Sequence, residues 1–187
     1  MSKNLAAVIL KISDEMLIDA QKHSNERIKY EYNRSQYNYE QRISMITIGT
    51  LGQLGFKKIL DDKKIKYSYQ FQAGAYDDYD FTINNKICEI KTSGYDHSGW
   101  ERLNLLYSRD QYEAGLAKNF DYCFQFFVNG YNRKSRLLDL KKSNTLIIAG
   151  FIKFTDIEFF KNKNMMFWGD YYKVPIDNLS CFESYIR

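Results

Sequence analysis

The chain reads as an α/β domain, a mixed central β-sheet flanked by helices, with an N-terminal helical extension. Three stretches carry that reading. Residues 76–91 alternate polar and apolar around an Asn84-Asn85 break. Residues 39–60 repeat apolar side chains at helical spacing. Residues 120–129 are strongly apolar and aromatic. The first pattern predicts a half-buried hairpin, the second an amphipathic helix, the third a strand covered on both faces. Residues 1–45 form the expected extension, packed on a core of residues 46–187, the two making one domain.

In chain order, residues 1–12 suit a short strand or a helix start. Asp14 to about Lys29 suits a helix with Met16, Leu17 and Ala20 on one side. Tyr30, Tyr32, Arg34, Tyr37 and Tyr39 interleave basic and aromatic side chains. Such a run can track a nucleic-acid backbone, or it is simply a helix connection with amphipathic tyrosines. From Tyr39 to about Leu60, the residues Ile43, Ile46, Ile48, Leu51, Leu54 and Leu60 give a helical apolar stripe. Gly49, Gly52 and Gly55 recur along it; small residues allow close approach of a strand or a ligand, at a cost in helix propensity. Lys57, Lys58, Lys63, Lys64 and Lys66 follow, a solvated face suited to a helix C-terminus, with phosphate contact as the alternative. Ile65 to Gln72 alternates as a strand, and Gly74 turns into the hairpin.

The hairpin sets the candidate site. Asparagine tolerates the positive φ of a two-residue turn, so Asn84 and Asn85 are the loop. Ile83 then faces Lys86, Thr82 faces Ile87, Phe81 faces Cys88, Asp80 faces Glu89 and Asp78 faces Lys91. Asp78, Asp80, Glu89 and Lys91 share one face, with Cys88 and Ile90 turned to the core. Opposed residues have Cβ atoms about 4.5–5.5 Å apart. Two carboxylates that close repel by roughly 3–4 kcal/mol at an effective dielectric near 20. Such a pair persists where a cation lies between the two groups or where one stays protonated. Oxygen ligands suit Mg²⁺, with Mn²⁺ able to substitute. An acidic pair with a lysine on one strand face is a plan for phosphodiester hydrolysis.

Thr92 to Tyr107 shows no strong period and reads as a loop with a short helix from Trp100. Trp100 and Arg102 either touch nucleic acid there, or Trp100 caps the core. His23 and His97 have no metal-ligand spacing. Ser108 with Gln111 is a capping-box pattern at the start of a helix. Phe120 to Asn129 should be the central strand, Gly130 and Asn132 a turn, and Leu146 to Phe154 another strand. Lys161 to Asn164 reads as a polar loop, and Met165 to Val174 with Ile176 as a closing segment.

The chain's 187 residues, 44% hydrophobic, suffice for one core, and a net charge of +4 permits a nucleic-acid partner without demanding one. Cys88, Cys123 and Cys181 are widely spaced with no C-x-x-C, which suggests neither zinc nor disulfides and fits a reducing cytoplasm. Leu5 to Leu10 is too short to span a membrane or to serve as a signal core.

Asp80 followed by Glu89-Ile90-Lys91 resembles the PD-(D/E)XK nuclease superfamily, the restriction-endonuclease-like fold. Tyr79 stands where that motif has proline. The order helix, strand, hairpin, helix, strand from about Ile48 to Ile176 is similar to the family core. The resemblance implies a Mg²⁺-dependent DNA endonuclease that leaves a 5′-phosphate, in restriction, phage or mobile-element DNA processing, or repair. It implies Asp80 and Glu89 as metal ligands, with the Ile90 carbonyl as a third, and Lys91 as the residue acting on water or on the phosphorane. Gln111 would help place the water. The family's first core helix often carries a glutamate after a glycine. Here Gln53 follows Gly52, which makes Gln53, with Asp78, an accessory candidate. Lys57, Lys58, Arg102, Arg109 and Trp100 are candidate DNA contacts, and a homodimer is one assembly open to the chain. Two alternatives remain: a nuclease on RNA or branched DNA, and a non-catalytic nucleic-acid-binding or scaffold protein that kept the fold.

Overall fold

The structure, a computed structural model, describes residues 7–30, 37–69, 80–96, 99–165 and 169–185. Its elements are β1 (Val8–Lys11), α1 (Asp14–Arg27), α2 (Tyr39–Asp62), β2 (Tyr67–Tyr69), β3 (Phe81–Ile83) and β4 (Lys86–Tyr95). They continue with β5 (Asn104–Ser108), α3 (Arg109–Ala117), β6 (Tyr122–Asn129), β7 (Tyr131–Asn132), β8 (Leu137–Leu138) and β9 (Thr145–Lys153). The chain closes with β10 (Lys161–Met165), β11 (Gly169–Pro175) and α4 (Phe182–Tyr185).

The central sheet is mixed, in the order β1-β9-β6-β4-β3-β2. Among the described residues only its β4–β6 pair is parallel. A parallel pair needs a long crossover, and the β4–β6 connection carries β5 and α3. Strand β6 lies inside the sheet, and Cys123 to Val128 are all buried, as an apolar run on both parities demands.

Two helix starts are written locally. The Ser13 hydroxyl accepts from the Met16 N–H, and Asn38 and Gln41 form a reciprocal capping box. Helix α2 covers one sheet face, where Leu51, Phe56, Phe81, Cys88, Ile90, Phe124 and Phe126 form the main core. The Phe56 ring lies 4.9 Å, centroid to centroid, from both Phe81 and Phe124. The opposite face carries a second cluster, including Tyr107, Tyr112, Cys123, Phe154 and Val174, beneath a small sheet ordered β10-β11-β5. Among the described residues no helix is long and apolar enough to cross a membrane.

Four expectations change. The N-terminal part is not a purely helical extension: β1 pairs with β9 as an edge of the central sheet, and α2 runs unbroken through the expected 45/46 division. Strand β4 does not stop at Lys91 but continues to Tyr95, because Thr92 to Tyr95 pair residue by residue with Phe126 to Asn129. The expected loop up to Tyr107 contains, after a short 3-10 turn at Trp100–Arg102, the strand β5. Lys161 to Asn164 belongs to β10, an edge strand that pairs with β11, and an edge strand needs no apolar pattern. Gly74 and Tyr79 lie outside the described residues.

Candidate active site

The site begins with the turn. Asn84 and Asn85 have φ of 51° and 60°, the two positive values of a two-residue hairpin loop. The register is the expected one: Ile83 opposite Lys86, Thr82 opposite Ile87, Phe81 opposite Cys88. It buries Cys88 and Ile90 against α2 and puts Glu89 and Lys91 on the other face, where Glu89 pairs across to Cys123 and Lys91 to Gln125.

Strand β3 starts at Phe81, and the chain bends at Asp80. Simple alternation places Asp80 flat on the Glu89–Lys91 face. Its carboxylate instead turns to the strand edge and towards α2. Oδ2 accepts from the Ile90 N–H at 2.7 Å, and Oδ1 accepts from the Gln53 side-chain amide. A side chain thus takes an N–H of β4 at the point where the described β3 ladder has ended. The N–H and C=O of a strand residue point the same way, so the Ile90 carbonyl is directed to the Asp80 side as well.

Asp80 is 6% exposed. Burial, and then the charge of Glu89, push its carboxyl up to about 8, against the opposing pull of the Ile90 N–H, the Gln53 amide and Lys91. On the open face the Lys91 ammonium lies 3.4 Å from Glu89 Oε1. It also sits 4.6 Å above the ring of Tyr107, which is buried and donates its hydroxyl to Cys123 Sγ at 3.0 Å. Sequence reasoning missed Tyr107. The signal was there: Leu105 and Tyr107 share a parity in residues 104–108, a period-two pattern too short to stand out.

Gln53 reaches Asp80 because α2 lies hard against β4. A Cβ on Gly52 would fall 1.8 Å from Thr92 Oγ1, so glycine is required at that crossing. Among the described residues, Gln53 Oε1 and Thr92 Oγ1 are both buried without a hydrogen-bond partner.

The other candidates are dispersed. Gln111 is exposed and spent on the cap of α3, its N–H and Oε1 both bonded to Ser108, so its contacts are those of a helix cap rather than of a water-placing residue. Trp100 packs 6.2 Å from the Phe127 ring, as a core cap does. Lys57, Lys58 and Arg109 are exposed and paired within their helices to Asp61, Asp62 and Glu113, while Arg102 is exposed at the 3-10 turn. Asp78, Tyr32, Arg34 and His97 lie outside the described residues.

Among the described residues no three His, Cys, Asp or Glu side chains cluster as a metal site. The donors near one another are two carboxylates, of Asp80 and Glu89, the Ile90 carbonyl and the orphaned Gln53 Oε1. This all-oxygen set fits a hard divalent cation. Comparisons with protein-family models, curated proteins and solved structures find no match to this chain.

Proposed function

We propose that the chain is a divalent-metal-dependent nuclease that hydrolyses phosphodiester bonds in DNA, of the PD-(D/E)XK, restriction-endonuclease-like kind. The observation that carries this reading is the buried Asp80 carboxylate, held by the Ile90 N–H and Gln53 beside the Glu89–Lys91 pair. Asp80, Glu89 and the Ile90 carbonyl would hold Mg²⁺, with Gln53 Oε1 a neutral addition. The bound ion would supply Lewis acidity and lower the pKa of a coordinated water. The chain's own residues do the rest. The Ile90 N–H and Gln53 orient Asp80. Tyr107 offers Lys91 an aromatic platform, and Lys91 contacts a phosphate oxygen or the attacking water. Because burial and Glu89 push the Asp80 carboxyl up, Asp80 would give up a proton on holding the ion, and binding would tighten as pH rises.

The test is a cleavage assay on plasmid and linear DNA with Mg²⁺, Mn²⁺ or EDTA. Lys91→Ala should lower cleavage by about 10²–10⁴-fold, with the melting temperature unchanged and DNA binding retained. Mg²⁺ at a hundred times its Kd should stabilise the parent by about 2.7 kcal/mol. One feature favours the rival of a non-catalytic nucleic-acid-binding protein: Gln53 offers an amide where a carboxylate would complete the acidic set. That rival takes over if the parent cuts no nucleic acid and gains no stability from either ion.

A further inference from the structure

Residues 133–142 carry Arg133, Lys134, Arg136, Lys141 and Lys142 against Asp139 alone, a net of four positive charges, equal to that of the whole chain. The other residues together are formally neutral. All five cations are exposed, around the β7–β8 hairpin, and among the described residues the one ion pair in the cluster joins Lys142 to Asp139 at 3.2 Å.

The hairpin is held in place. Asn132 Oδ1 accepts from the Lys134 and Ser135 N–H groups, at 2.9 and 3.1 Å. The Arg136 N–H donates to the Asn132 carbonyl at 2.7 Å. Two bonds tie it to α2: Gln41 Nε2 donates to the Ser135 carbonyl, and the Leu138 N–H donates to Ser44 Oγ. Tyr131 packs on β4 so closely that a Cβ on Gly94 would meet its Cβ at 2.4 Å. The Arg136 guanidinium lies 4.9 Å over the Tyr37 ring. A cleft of ≈ 460 Å³ runs beside the hairpin, with Asn132, Arg133, Lys134 and Lys142 on its wall together with Asp96 and Asp139.

We propose that this hairpin grips the phosphate backbone of duplex DNA to one side of the cut; the proposal rests on the nuclease reading and extends it. A basic run is ordinarily a solvated face. This one differs in concentrating the chain's whole net charge on a fixed scaffold, which keeps the entropic cost of ordering its donors low. It also shares α2 with the candidate site. Gln41 and Ser44 precede Gln53 on that helix by twelve and nine residues, or roughly 13–18 Å at 1.5 Å per residue. At a rise of about 3.4 Å that is about four or five base pairs, within the reach of one bound duplex.

The test measures binding of a 30-base-pair duplex in EDTA, where cleavage does not interfere, across about 50–200 mM salt. The variant combines Arg133→Gln, Lys134→Gln and Lys142→Gln. An equal-charge control combines Lys22→Gln, Lys153→Gln and Lys173→Gln, three exposed lysines on α1, β9 and β11. Each lost phosphate contact lowers the slope of log K against log salt by about 0.9. The hairpin variant should therefore lose about 2–3 in slope and at least about tenfold in affinity at low salt, while the control stays near the parent. If the triple variant melts early, single Arg133→Gln and Lys134→Gln variants should each lose about 0.9. Parent-like binding by the hairpin variants, or an equal loss in the control, overturns the proposal and leaves the nuclease reading standing. A parent that binds no duplex overturns the proposal, and only a parent that also cuts no nucleic acid and gains no stability from Mg²⁺ or Mn²⁺ overturns the nuclease reading.

Discussion

At the turn end of the β3–β4 hairpin, Phe81, Ile83 and Cys88 are buried in a regular ladder, and the two asparagines supply the positive φ that the loop requires. At the open end, one strand residue further from the turn, the same hairpin buries a carboxylate, and beside it lie the unpartnered Gln53 Oε1 and Thr92 Oγ1. Leaving a buried polar atom unpaired costs about 1–3 kcal/mol. The two ends therefore differ in kind: the first is an apolar ladder that holds the fold together, and the second keeps buried polar groups at a cost in stability, which the proposed metal site would offset.

Four measurements test that division. Phe56→Ala removes a ring shared by Phe81 and Phe124 and should cost about 3–5 kcal/mol in urea unfolding. The fraction that stays folded should keep its cleavage rate; a loss of rate per folded molecule would show the two ends to be coupled.

Asp80→Asn comes next, melted in EDTA across pH. Burial and the charge of Glu89 push the native Asp80 carboxyl up to about 8, against 3.8 for a free aspartate. Between those values the native state holds a proton that the unfolded chain has released. Stability from this group is thus full below about pH 4, falls as pH rises, and is lost through about pH 8. The slope reaches at most about 1.4 kcal/mol per pH unit. Asparagine does not titrate, so the variant should lose this decline and be the more stable protein at pH 8.5. Parallel profiles for the two proteins would mean that Asp80 is already ionised in the native state.

Gly52→Ala forces a Cβ into Thr92 and should cost about 1–3 kcal/mol. Because the same crossing carries Gln53, cleavage should fall by more than the loss of folded protein explains. Activity that follows folded fraction alone would remove α2 from the site. The smallest effect is at the turn. Asn85→Gly should change the midpoint by only a few tenths of a kcal/mol, whereas Asn85→Val should cost about 1–2 kcal/mol, since a β-branched residue resists positive φ. Neither should alter cleavage by folded protein.

The elements that read well from sequence are those set by local rules. Ser13, Asn38 and Ser108 start their helices with side-chain caps, Asn84-Asn85 turns the hairpin, and the period of two around them places Cys88 and Ile90 in the core. Phe120 to Asn129 reads as a central strand because an apolar run on both parities has nowhere else to go, and Tyr122–Asn129 forms it. The elements that did not read well take their structure from a partner. Thr92 to Tyr95 have no pattern of their own and become strand by pairing with β6. Val8 to Lys11, which suit a short strand or a helix start, settle as strand by pairing with β9, and the polar residues of β10 pair with β11.

The same line runs through the candidate site. Alternation alone puts Glu89 and Lys91 on one face, since two residues on the same strand two apart must share it. It does not tell that Asp80 leaves the ladder to bond the Ile90 N–H, that Gln53 arrives from a helix 27 residues away in sequence, or that the ring under Lys91 is Tyr107. Nor does it weigh the two roles of Gln111, which the α3 cap takes up. A hydrogen bond or a buried charge depends on distances between segments remote in sequence, and those are decided by how α2, β4 and β5 pack; the strand period and the turn depend on neighbouring residues, and those the chain carries in its own order.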